Sequence, residues 1–210
     1  MADAFRGWPE TCQRFFIGLE LDNSKKYFEA NRKVYEAAVK GPMVALIASL
    51  EDEFGPGKIF RPNRDIRFSN DKSPYKTNIA ATCGMGARGG YLSLDARGLT
   101  VASGRYELDP QELVKFRKQV AAPAAGSKLA AIVAKLEKGG FEIGGEDLKR
   151  VPSGWPQDHP QARLLRHKRL YAWKNFGMQP WLGTPIARRH IVKAWGDSEP
   201  LAEWFAKHLD

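Results

Sequence analysis

The segment Arg64-Asp65-Ile66-Arg67-Phe68-Ser69-Asn70-Asp71-Lys72-Ser73-Pro74-Tyr75-Lys76 is the stretch of this chain best equipped for chemistry. Guanidinium, carboxylate and ammonium groups alternate along it. Arginine presents a planar fork that matches carboxylate or phosphate, and lysine presents a point charge. Asp65 and Asp71 can hold those cations by ion pairing, and Ser69, Ser73 and Tyr75 add neutral hydrogen-bonding groups. Such a loop is suited to gripping an anion. The same residue types also suit an internal ion-pair network that fixes a loop against a sheet, since structural networks cluster charge as well.

The net charge of +9 is unevenly spread. Five basic and two acidic residues between Arg61 and Lys76 give +3, and seven basic and one acidic between Lys149 and Lys174 give +6. The remainder has 21 of each sign. If the fold joins the two segments they form one positive surface that attracts anions. If not, they are two solvated faces. Within the second segment His159, in a loop between Asp158 and Pro160, is placed to act as a general acid or base. It equally suits a ring bonded to nearby backbone.

The Arg64–Lys76 segment resembles the signature of a widespread bacterial family of uncharacterised proteins, a domain of unknown function. The pattern is roughly R-D-x-R-F-S-x-D-K-x-P-Y-K, and every fixed position is matched. The resemblance covers most of the chain. Phe15-Phe16, Leu21-Asp22-Asn23 and Tyr27-Phe28-Glu29-Ala30-Asn31-Arg32 with Tyr35 are similar to the family's opening helices. Ser24 and Tyr27 stand where the family usually has a second Asn and a Trp. Gly104-Arg105-Tyr106 before Asp109-Pro110 resembles its turn after the sheet. Leu148-Lys149-Arg150-Val151-Pro152-Ser153-Gly154 with His159-Pro160 and Lys168 resembles its C-terminal motif. The resemblance implies an α+β domain and no particular activity. The site it carries over consists of Arg64, Asp65, Arg67, Ser69, Asp71, Lys72, Tyr75 and Lys76, joined by Arg150, His159 and Lys168.

Other enzyme-like strings fail on context. Gly84-Met85-Gly86-Ala87-Arg88-Gly89 fits G-x-G-x-x-G by letter, but a dinucleotide site needs a helix directly after it, and Gly90-Tyr91-Leu92 reads as turn and strand. Ser69 to Lys72 and Ser73 to Lys76 fit S-x-x-K, yet Pro74 interrupts the second and the companion strings of such enzymes are absent. The four histidines show no zinc spacing, and two carboxylates among five cations disfavour a hard metal, so no metal or cofactor is expected. Cys12 and Cys83 are too few for a disulfide framework and read as reduced, buried thiols. Trp155, Trp173, Trp181, Trp195 and Trp204 lie among Arg and Lys and suit base stacking, but such aromatics are more often core.

These groups need elements to position them. Pro9 opens a helix carrying Phe15, Phe16 and Leu19; Ser24 caps a second from Tyr27 to Ala38, which Gly41 ends; Met43 to Phe54 form a third. Asn78 to Arg105 switches to period two, an antiparallel meander turned at Gly89-Gly90 and Arg97-Gly98. Asp109-Pro110-Gln111-Glu112 starts a helix; another runs from Lys128 to Lys138 behind a Ser127 cap. Phe141 to Ile143 and Leu170 to Trp173 read as strands, Ala162 to Arg166 as a helical turn, and Leu201 to Leu209 as a closing helix.

The expectation is therefore one α+β domain over residues 1–210: a helical N-terminal part and a central antiparallel sheet with helices packed on it. No signal peptide or membrane span is expected, so the protein is read as cytoplasmic. The leading functional expectation is a phosphorylated or other anionic small-molecule ligand. Arg64, Arg67, Lys72 and Lys76 would hold it and Asp65 and Asp71 orient them, with Tyr75 or His159 the candidate proton carrier if phosphate-ester chemistry follows. A nucleic-acid binder using both basic segments and a structural or partner-binding domain are the alternatives. Composition does not set the oligomeric state.

Overall fold

Pro9 precedes helix α1 (Glu10–Leu21), whose buried face is Cys12, Phe15, Phe16 and Leu19. Ser24 caps α2 (Lys25–Ala30): its Oγ accepts a hydrogen bond from the Tyr27 N–H at 3.1 Å. The helical pattern from Tyr27 to Ala38 is not one helix. After α2 comes a short turn, α3 (Arg32–Val34), and then a π-helical stretch over Tyr35–Lys40. Nor does Gly41 stop the chain. It adopts helical angles (φ −55°, ψ −52°) and continues into α4 (Gly41–Phe54). Glycine permits a helix end without requiring one. The wider π turn lets Tyr35, Ala38 and Val39 all be buried.

In this computed structural model the described residues are 4–67, 70–84 and 89–210. They gather into two compact units, the first holding residues 4–84 (without 68–69), 89–101 and 175–193, the second 102–174 and 194–210. The strands are β1 (Gly57–Ile59), β2 (Asn78–Cys83), β3 (Gly90–Asp95), β4 (Gly98–Arg105), β5 (Glu142–Glu146) and β6 (His167–Asn175). They form a six-stranded antiparallel sheet in the order β1-β2-β3-β4-β6-β5. The α+β class expected from the sequence is what the chain adopts. β2 and β3 pair from Asn78 opposite Asp95 to Cys83 opposite Gly90. β1 was not legible in sequence, because three residues carry no period.

In the first unit α4 packs on β1 and β2. Phe16, Leu19, Met43, Leu46 and Leu50 on the helices and Ile79, Ala81, Leu92 and Leu99 on the sheet are all buried. In the second unit Asp109 caps α5 (Pro110–Ala121) in a reciprocal box with Glu112, as the sequence indicated. The next helix, α6 (Pro123–Lys138), begins before the expected Ser127 cap. Pro123 suits the first helical position, and Gly126 lies inside the helix where a Cβ would meet the Val120 carbonyl. After α7 (Ala162–Leu165) comes α8 (Ile186–His208), which runs straight through Pro200. The expected closing helix is only its last part. Phe116 lies edge-on to Trp204 and stacks with Phe205, joining α5 to the end of α8.

Candidate anion-binding site

The charged segment is a loop with a short, tied neck. The Arg64 N–H donates to the Pro74 carbonyl at 2.9 Å and the Lys76 N–H to the Pro62 carbonyl at 2.8 Å, flanking a bridge between Asn63 and Tyr75. The Asn23 side chain then seizes the neck. Its Nδ2 donates to the Tyr75 carbonyl at 3.0 Å and its Oδ1 accepts from the Tyr75 N–H at 3.1 Å. One amide thus satisfies both backbone groups of Tyr75, as a neighbouring strand would. The Tyr75 ring is only 6% exposed and stacks on Phe28 with centroids 4.0 Å apart. Phe28 in turn meets Phe15 and Tyr35, and the Arg32 guanidinium lies over its ring at 5.6 Å. The loop is therefore rooted in the helical core, through residues of the opening motif.

Within the loop, arginines are matched to aspartates. Arg64 Nη1 reaches Asp71 Oδ2 at 2.6 Å. Arg67 grips Asp65 through Nε at 3.0 Å and Nη2 at 2.7 Å. Hydrogen bonds from the Arg67 side chain and backbone, and then the Arg61 charge, hold the Asp65 carboxyl below its ordinary pKa. Bonds from Ser73, and then the Arg64 charge, do the same for Asp71. The Ser73 N–H bonds Asp71 Oδ1 at 2.9 Å, and Lys72 Nζ donates to the Ile66 carbonyl at 2.9 Å. Lys76 Nζ sits 5.6 Å from the Phe60 ring centre. Ser69, a predicted site residue, lies outside the described residues, as does Phe68.

This pairing leaves a remainder. Among the described residues Arg61, Lys72 and Lys76 make no close ion pair with a carboxylate, although the Arg61 charge acts on Asp65 from farther away. They carry the segment's +3. The Arg64 Nε–H is buried and has no acceptor there either. Arg61 was missed as a site residue by sequence reasoning because it precedes the motif, and Asn23 because a residue beside a helix cap reads as local. The signal for Arg61 was the charge count itself.

The remaining candidates belong to the second unit. His159 Nδ1 accepts from the Gln161 N–H at 3.0 Å, and its carbonyl accepts from the Ala162 N–H at 2.8 Å, so the residue shapes the turn into α7. Arg150 is exposed beside a loop that Gln157 closes by bonding both backbone groups of Val151, at 3.2 and 2.9 Å. Lys168 lines a shallow hollow with Tyr106, Glu107, Asp109, Asp147 and Arg169. There Arg169 pairs with Asp147 at 3.2 Å and covers the Tyr106 ring at 5.1 Å. His167, which sequence reasoning did not single out, is fully buried, with Nδ1 3.0 Å from the Arg163 carbonyl.

The motif-like strings behave as their context indicated. Gly89 (φ +87°) is followed by β3, so no helix stands where a pyrophosphate would need one; residues 85–88 lie outside the described residues. Ser73 and Lys76 lie on the extended neck and not on a helix. Both cysteines are buried; burial pushes the Cys12 thiol up to about 12, and Cys83 donates to the Gly55 carbonyl. Among the described residues no three His, Cys, Asp or Glu side chains converge on a metal position, and no helix is long and apolar enough to cross a membrane.

No curated protein and no solved structure matches this chain. The family described as Conserved hypothetical protein (DUF2461) matches it over residues 11–204, so nearly the whole fold is shared, and the chain belongs to that family.

Proposed function

We propose that the chain binds a phosphorylated or otherwise anionic small molecule at the 61–76 loop. The observation that carries this reading is the unbalanced charge. Two arginines are neutralised in place by two aspartates, while Arg61, Lys72 and Lys76 keep their full charge on the same rooted loop. A loop tied at its neck loses little freedom when a ligand arrives, which lowers the cost of binding. Asp65 and Asp71 then act as orienting groups. The orphaned Arg64 Nε–H is a further donor that a small movement would offer to a ligand oxygen. Whether phosphate-ester chemistry follows is a separate question. The Tyr75 ring is engaged in stacking, and His159 already uses one ring nitrogen on its own turn.

Thermal shifts against orthophosphate, pyrophosphate, nucleotides, sugar phosphates and short DNA and RNA test the reading, at low and moderate salt. A ligand bound only by the folded state raises the melting temperature. The expected result is a selective shift that survives moderate salt and is lost in Lys72→Gln. A shift from polymers alone, erased by salt, favours a nucleic-acid surface made by the basic segments. One observation favours internal scaffolding instead: the Asn23 clamp and the Tyr75 stack hold the loop in the core. That reading expects no ligand shift from any of these probes at either salt concentration.

A further inference from the structure

An aromatic pair stands on the sheet beside the neck of the charged loop. Side chains alternate between the two faces along a strand. On β1, Gly57 faces α4, since a Cβ there would run into the Ile47 side chain. Lys58 and Phe60 therefore take the opposite face from Gly57 and Ile59 at one edge of the sheet, and Phe60 leads directly into the loop. Lys58 pairs with Thr82, which pairs with Tyr91. The Phe60 N–H donates to the Ala80 carbonyl at 2.9 Å, and Ala80 pairs with Ser93. The Phe60 and Tyr91 rings meet across β2, with centroids 6.4 Å apart and planes at 41°. The residue between them in the register is the small Ala80.

This pair is not spent on the core. Leu92 and Leu94 of β3 point the other way and are buried, whereas Phe60 and Tyr91 keep accessible surface. Neither the Tyr91 hydroxyl nor the Thr82 hydroxyl has a hydrogen-bond partner among the described residues. Two lysines flank the rings. Lys58 is exposed and makes no ion pair among the described residues. Lys76 Nζ lies 5.6 Å from the Phe60 ring centre, and its ammonium makes no hydrogen bond or close ion pair there either. A cation over a ring at an accessible site is held weakly. An incoming oxyanion can therefore draw Lys76 aside without breaking a salt bridge, and doing so bares the Phe60 ring.

Two rings, two unengaged hydroxyls and two ammonium groups in one patch are complementary to a flat, polar-edged ring that carries phosphate. We propose that the patch seats the base of a free nucleoside diphosphate, an inference that rests on the loop being an anion site. The base stacks on Tyr91 and Phe60, as bases stack on aromatic side chains of other sheet surfaces. Its edge meets the Thr82 and Tyr91 hydroxyls. The diphosphate lies on Lys76 and the loop, whose three cations without a close ion pair suit it better than a monophosphate would. A single pair of rings at a sheet edge has room for one base. A strand needs successive platforms along a basic groove, so the geometry favours the free nucleotide.

Calorimetric titration with ADP, pyrophosphate and a short oligoadenylate tests the proposal, without added metal. ADP and pyrophosphate share the diphosphate, so any advantage of ADP comes from its adenosine. ADP is expected to bind the parent chain at least about tenfold more tightly than pyrophosphate, the effect of one stacked base. Tyr91→Thr keeps a strand-forming residue and removes the ring. It should bring ADP down to the pyrophosphate level and leave pyrophosphate unchanged, because the loop alone holds that probe. Tyr91→Phe should keep the ADP advantage. Equal binding of ADP and pyrophosphate by the parent overturns the nucleotide proposal and leaves the anion loop standing. Binding of neither overturns both. An ADP advantage that survives in Tyr91→Thr, or binding of oligoadenylate without ADP, overturns the proposal as well. The comparison in the parent needs no variant, so it decides even if Tyr91→Thr does not fold.

Discussion

Phe28 and Tyr75 lie face to face, ring centroids 4.0 Å apart and planes only 7° from parallel. The first belongs to helix α2, the second to the neck of the charged loop. Both are buried. The stack therefore joins the helical opening of the chain to its most charged segment, and it explains why a loop of ions is held in one shape. The ionic pairs act at the exposed tip, where water weakens them. The aromatic root supplies the cohesion.

Truncating the root should be costly. Phe28→Ala and Tyr75→Ala are each expected to destabilise the fold by about 3–5 kcal/mol in urea unfolding, the usual range for a large core ring. Tyr75→Phe keeps the stack and should stay within about 0.5 kcal/mol of the parent. A large loss in Tyr75→Phe would mean that the hydroxyl, and not the ring, is what the fold uses.

The amide of Asn23 supplies the second tie. Asn23→Ala leaves the Tyr75 N–H without a partner and its carbonyl with only the long 3.5 Å bond from Arg64 Nη2, and should cost about 1–3 kcal/mol. Asn23→Asp keeps the acceptor for the Tyr75 N–H and loses the donor to its carbonyl. Its stability should fall between the two, and an aspartate as damaging as alanine would show that the donated bond dominates.

Much of this frame was legible in the sequence, and the exceptions have causes. The Asp109 box and the Ser24 cap follow local rules, and β2 to β4 follow period two, so both could be read directly. Gly41 was read as a helix stop, and the closing helix was read as beginning at Leu201. In the folded chain Gly41 is helical and Pro200 lies inside α8, because packing on either side outweighs their local preference. The loop's residues were also visible, and so was the balance of their charges. What the sequence could not show was pairing. That Arg64 takes Asp71, and that Asn23 takes both backbone groups of Tyr75, depends on contacts far apart in the chain. A cleft lined by Trp8, Leu94 and Leu182 was invisible for the same reason, since its walls come from three separated segments.

Stability should fall on mild acidification. Burial lowers the His167 pKa below its ordinary 6.5, against smaller opposing effects of the Arg163 carbonyl and Glu146. The unfolded chain takes up a proton near that value while the folded chain does not. The contribution is thus complete above 6.5 and lost progressively as the pH drops below it. His208 shifts in the same direction, first by burial and then by Lys207 and Lys128. Urea midpoints between about pH 7.5 and 5.5 should decline, and decline less in His167→Gln. The depressed carboxyls of Asp65 and Asp71 act only in a more acidic window, below their ordinary 3.8, so they do not confuse the comparison. An unchanged slope in His167→Gln would remove His167 from the account.

The N-terminal segment owes its path to one glycine. Gly7→Ala forces a side chain to adopt φ near +97° and drives a Cβ into the Thr184 backbone. A loss of at least about 1–3 kcal/mol is expected from the backbone conformation alone, read as a lower melting temperature. A neutral Gly7→Ala would mean that the segment does not pack there in solution.

The most direct test of the central claim is a calorimetric titration of pyrophosphate into the parent chain and into Arg61→Gln/Lys72→Gln, at two salt concentrations. Both substituted positions are exposed, so the fold should persist. The account predicts saturable binding by the parent at moderate salt, weakened by at least about tenfold in the double variant at unchanged melting temperature. Equal binding by both proteins, or none by the parent at low salt, would contradict the assignment of the loop as an anion site.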